Sequence, residues 1–286
     1  LSTDLRVSDR QAARLLGRIR VKTRGSPTFA ATMTLTLLLL CCFAFLAGFI
    51  DSIVGGGGLI QTPAMLLLLP AVPVPTVLGT GKVSSISGTA MALQRFAGKV
   101  PIRWRSVGVA AVVAGVMSFV GARVVTLLPS ELLRPLVLGL LVVIAIYTFW
   151  RKDFGAIHAP RLDDRREVLF GIGIGLIIGF YDGFFGPGTG SFLLFAFVGL
   201  FGYDFLSASA SSKVVNVATN LTSLAYFAYT GHIIWHIALP MAACNVTGSV
   251  LGTRVALKRG VGFVRVLFLV VVCGIIVRLA WDTFFK

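Results

Sequence analysis

Four charged side chains stand within or at the edge of apolar stretches of this 286-residue chain: Asp51, Lys82, Asp182 and Lys213. An ionisable group deep in a membrane span costs about 2.5–3.5 kcal/mol on insertion scales, so each is a candidate for work on an ion or polar cargo. Lys82 lies among Thr80, Ser84 and Ser85, and Lys213 among Ser211, Ser212, Asn216 and Asn220. Helix positions three and four apart share a face, so each lysine is predicted to lie on a polar stripe that looks into the protein. Asp51 and Asp182 each precede a glycine break, Gly55-Gly56-Gly57-Gly58 and Gly186-Pro187-Gly188-Thr189-Gly190-Ser191. A helix opening at such a break presents backbone N–H groups and a positive dipole end, which together suit an anion. The pattern predicts a small-oxyanion pocket formed by Lys82, Lys213, Gly56, Gly57, Gly58, Gly188, Thr189, Gly190, Ser191, Thr80, Asn216 and Asn220. Asp51 and Asp182 would carry a coupling proton or set the geometry of the breaks. The purely structural alternative has the glycines permitting tight helix crossing and each aspartate paired with the lysine of its own half.

The elements that position these residues are membrane helices. With 56% hydrophobic and 13% charged residues and a mean hydropathy of +0.91, the chain reads as an all-α polytopic membrane protein. The net charge of +15 comes from basic residues scattered between apolar runs. That distribution points to an anionic lipid surface and to topology, not to nucleic acid. Hydrophobic segments run over 32–54, 58–71, 75–97, 106–128, 132–150, 167–186, 189–203, 206–229, 235–256 and 263–284. A span needs about twenty apolar residues, so eight qualify. The segments at 58–71 and 189–203 are short and follow the breaks, which leaves tilted helices, half-helices and re-entrant pieces open.

Sliding the chain against itself by 131 residues superposes the two breaks and also Lys82 on Lys213, Trp104 on Trp235, Arg123 on Arg254, Arg134 on Arg265 and Trp150 on Trp281. Matched Asp, Lys, Arg and Trp at one constant shift indicate an internal duplication. The organisation expected is a basic arm at 1–30, a first transmembrane repeat at 31–150, a polar linker at 151–166 and a second repeat at 167–286. Duplicated halves with broken helices are the pattern of secondary transporters, whose halves rock around a midplane site. Five crossings per half would invert the second half relative to the first. Placing the basic stretches at 95–105, 151–166 and 254–265 in the cytoplasm is self-consistent, but it puts the arm, with seven basic and two acidic residues, outside, against the positive-inside tendency. An arm on the inside would instead require one of the short segments not to cross. The arm itself has the spacing of a helix lying on a bilayer surface, with a disordered basic tail as the alternative.

Other signals carry less. Cys41, Cys42, Cys244 and Cys273 lie in apolar segments without metal or disulfide spacing. No metal and no cofactor is expected. His232 and His236 flank Trp235 as at a membrane boundary, and Arg123 and Arg254 read as helix-end anchors. No GxxxxGK[ST] loop occurs, which argues against an ATP-driven pump. A cation or metal pathway through Asp51 and Asp182 is one alternative function. An intramembrane aspartyl protease using Tyr181-Asp182 is another, although the partner Gly-x-Gly-Asp element is missing; the chain is expected not to be an enzyme.

At the residues Gly48-Phe49-Ile50-Asp51-Ser52-Ile53-Val54-Gly55-Gly56-Gly57-Gly58-Leu59-Ile60 with Pro63, at Gly79-Thr80-Gly81-Lys82-Val83 and at Gly179-Phe180-Tyr181-Asp182-Gly183-Phe184-Phe185-Gly186-Pro187-Gly188-Thr189-Gly190-Ser191-Phe192, the chain resembles the TauE/SafE, or sulfite exporter, family of membrane transporters. The resemblance covers about residues 32–284. It implies movement of sulfite, sulfonates or related small sulfur-containing anions across the bacterial cytoplasmic (inner) membrane, coupled to an ion gradient. The expected partners are that anion and the lipid bilayer, with a homo-oligomer as a further expectation and no nucleic acid. Gly81 departs from the family pattern, which has Asn there, and Asn216 and Asn220 are candidates to compensate.

Overall fold

A computed structural model of the chain describes residues 27–129, 132–133, 135–137, 139–140 and 162–259. The arm up to residue 26, most of the segment 132–150, the linker up to residue 161 and the segment 263–284 lie outside the described residues. Eight helices are described: α1 (Pro27–Val54), α2 (Gly58–Leu68), α3 (Val74–Phe96), α4 (Trp104–Leu127), α5 (Asp164–Phe184), α6 (Thr189–Gly199), α7 (Phe205–Tyr229) and α8 (Trp235–Arg259). There is no strand among the described residues. The described residues up to Leu39 form a unit of their own, where Met33, Leu35 and Leu38 of α1 are exposed. The described residues from Leu40 onward belong to one compact unit.

Helix starts keep the spacing of the repeat: Gly58 and Thr189, Val74 and Phe205, Trp104 and Trp235 each open helices 131 residues apart. The stretches Met33–Ile53, Trp104–Leu127 and Asp164–Phe184 are long and apolar enough to cross a membrane. Helices α3 and α7 have the length, but their hydropathy is lowered by the polar faces that carry the lysines. Helices α2 and α6 have eleven residues each. At a rise of about 1.5 Å per residue they are roughly 17 Å long, half of a hydrocarbon core of about 30 Å.

Glycine sets how closely the long helices approach. Along α5, Gly171, Gly175, Gly179 and Gly183 meet Ser106, Ala110, Ala114 and Ser118 of α4 in that order, so the two helices run parallel with small residues at every fourth position. A Cβ on Gly183 would lie 1.8 Å from the Ser118 carbonyl oxygen. Helices α1 and α8 repeat the arrangement: Gly248 meets Phe45 and Gly252 meets Phe49. Hydrogen bonds add α7 to the first pair, with Ser118 Oγ donating to the Thr219 carbonyl at 2.9 Å, and α3 to the second, with Ser249 Oγ donating to the Gly88 carbonyl at 2.7 Å. These two bonds are equivalents at the 131-residue shift.

Two interlocked bundles result. One contains α4, α5, α6 and α7, the other α1, α2, α3 and α8. Each therefore takes its long outer helix, α4 or α8, from the other half of the sequence. Within a bundle the long helices are parallel, so α2 and α6 return the chain from the inner ends of α1 and α5 as the short limbs of two hairpins. Where the bundles meet, α3 and α7 run antiparallel: Gly79 lies against Phe227 and Lys82 reaches Asn220. On the outside, Val112, Val116 and Phe119 of α4 and Leu169, Phe170 and Ile177 of α5 are exposed, the apolar surface that lipid requires.

Candidate anion site at the meeting of two helix breaks

The glycine breaks form the tips of the two hairpins, and the tips touch. A Cβ on Gly55, which has φ +80°, would lie 2.3 Å from the Gly190 carbonyl carbon, and one on Gly58 would lie 2.9 Å from Pro187 Cα. A non-glycine residue at 55 would face both a left-handed backbone and a backbone neighbour, so glycine is required there.

Around these tips the four charges pair crosswise. Lys82 Nζ donates to Asp182 Oδ2 at 2.8 Å, to the Asp182 carbonyl at 2.9 Å and to Asn220 Oδ1 at 3.0 Å. Lys213 Nζ donates to Asp51 Oδ2 at 2.9 Å and to the Asp51 carbonyl. The structural alternative drawn from the sequence, a lysine and an aspartate of the same half, is thus not what forms. The antiparallel course of α3 and α7 carries each lysine past the other half's hairpin tip. Both pairs join one bundle to the other, and Lys82, Lys213 and Asp182 are buried.

A cavity of about 40 Å³ lies at this junction, room for a few non-hydrogen atoms on a scale where one water needs about 10–15 Å³. Of the residues the sequence singled out, Lys82, Asp51, Asp182, Gly58, Gly188, Thr189, Gly190, Asn216 and Asn220 line it. Lys213 and Ser191 are buried nearby without lining it, and Gly56 and Gly57 also stand outside its wall. Gly57 packs on Ala47 and Asp51 of α1. Thr80 ties helices together, its Oγ1 donating to the Thr76 carbonyl at 2.6 Å and accepting from Ile234 N at 3.0 Å. The backbone N–H groups expected at the first break are partly engaged: Leu59 N and Ile60 N turn back to the Gly56 and Gly57 carbonyls.

The wall also includes Gln61, Thr62, Ser85 and Thr89. Gln61 is 2% exposed. Its Nε2 donates to the Gly81 carbonyl at 3.0 Å, while Oε1 accepts from Ser84 Oγ at 2.9 Å and Asn245 Nδ2 at 3.2 Å. A Cβ on Gly81 would come 3.3 Å from that Nε2, so the Gln61 amide occupies the space beside the glycine. Its sequence signal was a lone carboxamide in an apolar half-helix, but the shift of 131 pairs it with Phe192, and so the repeat did not mark it. Thr89 Oγ1 donates to Asp51 Oδ2 at 3.3 Å.

At the end of the α4–α7 bundle where those helices start, a second polar cluster joins α4, α5 and the α6–α7 connection. Glu167, 2% exposed, accepts from Arg103 Nη1 at 2.9 Å, Ser106 Oγ at 3.2 Å and the Tyr203 hydroxyl at 3.2 Å. Burial raises the Tyr203 phenol above its ordinary value, with the Glu167 carboxylate adding to the rise, which keeps the hydroxyl a donor. Arg105 and Asp164 pair beside it at 3.0 Å in the open. Arg103 and Arg105 of one basic stretch and Asp164 at the described end of another thus lie at the same end of the bundle. Among the described residues no group of three or more His, Cys, Asp or Glu is placed to hold a metal ion.

The sequence profile of the sulfite exporter TauE/SafE family matches residues 40–279. A probable membrane transporter protein, ORF9, of Sinorhizobium sp is 33% identical over 242 residues, which is 84% of this chain and 90% of that protein. A probable membrane transporter protein of Haemophilus influenzae is 31% identical over 250 residues, 86% of this chain and 95% of that protein. The probable membrane transporter protein YfcA of Escherichia coli is 32% identical over 248 residues, 84% of this chain and 88% of that protein. No solved structure matches the chain significantly. With its paired glycine breaks inside the matched region, this integral membrane protein belongs to the TauE/SafE family of membrane transporters.

Proposed function

We propose that this protein is a secondary transporter that moves a small sulfur-containing anion of the sulfite or sulfonate type across the bacterial cytoplasmic membrane, coupled to an ion gradient. One observation carries the reading: a small polar cavity at the touching tips of two hairpins, beside two ion pairs that cross between bundles. All three ammonium hydrogens of Lys82 are engaged, by Asp182 twice and by Asn220. An anion that reaches Lys82 takes the place of the Asp182 carboxylate, and a proton on that carboxylate lets it leave. Cargo and proton are linked by this competition. Lys213 acts one step back, holding Asp51 at the cavity wall, while Gly58, Gly188, Thr189 and Gly190 shape the pocket. The family's name supports a sulfur oxyanion as the cargo.

The test is flux into proteoliposomes of sulfite, thiosulfate, taurine and sulfoacetate under imposed pH gradients. The expected result is uptake of at least one of them that follows the gradient and is lost in Lys82→Ala. Wild-type rates in both Lys82→Ala and Lys213→Ala would remove the lysines from the site, and no flux of any of the four would sink the cargo assignment.

A further inference from the structure

We infer that the cargo is gripped by a cradle of three neutral carboxamides, Gln61, Asn216 and Asn220, that offer it their unused N–H hydrogens. The inference rests on the transporter reading above and adds what recognises the anion. All three side chains line the cavity and are at least nine-tenths buried.

Their orientations follow from partners that have no choice. An ammonium only donates, so the Asn220 atom beside Lys82 Nζ is its oxygen, at 3.0 Å. That turns Asn220 Nδ2 toward Asn216, whose Oδ1 accepts from it at 3.4 Å. A backbone carbonyl only accepts, so the Gln61 atom beside the Gly81 carbonyl is its nitrogen, at 3.0 Å. Gln61 Oε1 then faces Ser84 and Asn245 and accepts from both.

Each carboxamide oxygen is therefore satisfied inside the protein. Each NH₂ keeps hydrogens in reserve: one on Gln61, one on Asn220 and two on Asn216, whose Nδ2 has no protein acceptor among the described residues. Four unused N–H hydrogens suit a species that only accepts, such as an oxyanion, while each amide oxygen already accepts at least one hydrogen bond inside the protein. The two carboxylates in the wall, Asp51 and Asp182, are engaged by the lysines, so the amides supply the neutral donors that meet the anion before any lysine is released.

The cradle is one-sided. At the 131-residue shift Asn216 and Asn220 correspond to Ser85 and Thr89, and Gln61 to Phe192. The duplicated halves have diverged where the amides stand, so the grip belongs to one specific set of residues and not to either lysine's surroundings alike.

The test is calorimetric titration of the purified full-length protein with sulfite, and in separate arms with manganese and calcium ions, using wild type, Gln61→Met, Asn216→Leu and Asn216→Ser. None of these changes net charge. Losing one hydrogen bond to a charged ligand weakens binding by about tenfold or more, so Gln61→Met and Asn216→Leu should each raise the sulfite Kd by at least that factor, Asn216→Leu with little change in melting temperature. Asn216→Ser keeps a donor and should lose less than Asn216→Leu. If Gln61→Met does not fold, the two Asn216 variants decide, because Asn216 makes one long bond within the protein. Wild-type binding of sulfite with a smaller loss in the Leu variant overturns the cradle and leaves the transporter reading standing. Binding of manganese or calcium in place of any anion overturns both.

Discussion

Each buried lysine satisfies a carboxylate and a carbonyl of the opposite hairpin. A buried pair contributes little net stability, but removing one partner leaves an uncompensated charge that costs about 3–5 kcal/mol. Lys82→Met should therefore lower the melting temperature of the detergent-solubilised protein, and adding Asp182→Asn should recover most of the loss. A double variant no more stable than Lys82→Met alone would mean that the 2.8 Å contact is not what compensates the charge. Much of this chemistry was legible in the sequence, because four charges in apolar surroundings stand out whatever the fold. Gln61 was not, since it is unduplicated and its role depends on Gly81 and Asn245, 20 and 184 positions away.

For the helices the governing fact is close approach. Gly183 has no room for a side chain against Ser118, whereas Gly173, on the same helix, has nothing within 4 Å of a Cβ. Gly183→Leu should prevent α4 and α5 from seating and abolish a monodisperse peak on size exclusion, and Gly173→Leu should behave as wild type. Equal behaviour of the two would contradict the packing described. Hydropathy located the helices and glycine spacing showed their breaks, but the lengths of α2 and α6 left three options open. Their eleven residues, set between parallel long helices, make them return limbs. The hydropathy of a segment reports only how apolar it is, and the direction in which it returns is set by its neighbours.

Across the whole molecule the bodies that pack together are not the halves of the sequence. The exchange of α4 and α8 gives each bundle helices from both repeats, so a motion of bundles differs from the rocking of halves that duplication alone suggests. Arg105 stands on α4 of the first half and Asp164 at the end of the linker, where it opens α5 of the second half; both helices belong to one bundle, and both side chains are exposed. With Cys41, Cys42, Cys244 and Cys273 replaced, Arg105→Cys and Asp164→Cys joined by a short bis-thiol reagent should leave sulfite flux in place; cleavage at a protease site inserted in the linker at 151–166 would report the extent of joining. Flux that stops on joining and returns on release would show that the halves themselves move apart.

The sequence by itself determined the solvent, the self-similarity, the two breaks and the four charges, because each is written in local composition and in a constant shift of 131 residues. It could not say which lysine meets which aspartate, since a repeated sequence encodes both halves alike and is silent on whether they pair within or between themselves. The tertiary structure decided that through the antiparallel meeting of α3 and α7 and the glycine contacts that seat α4 on α5 and α8 on α1. It also decided that the cavity is one-sided, lined by Lys82 and the amides and not by Lys213. Packing in three dimensions distinguishes residues that a shift of 131 makes equivalent.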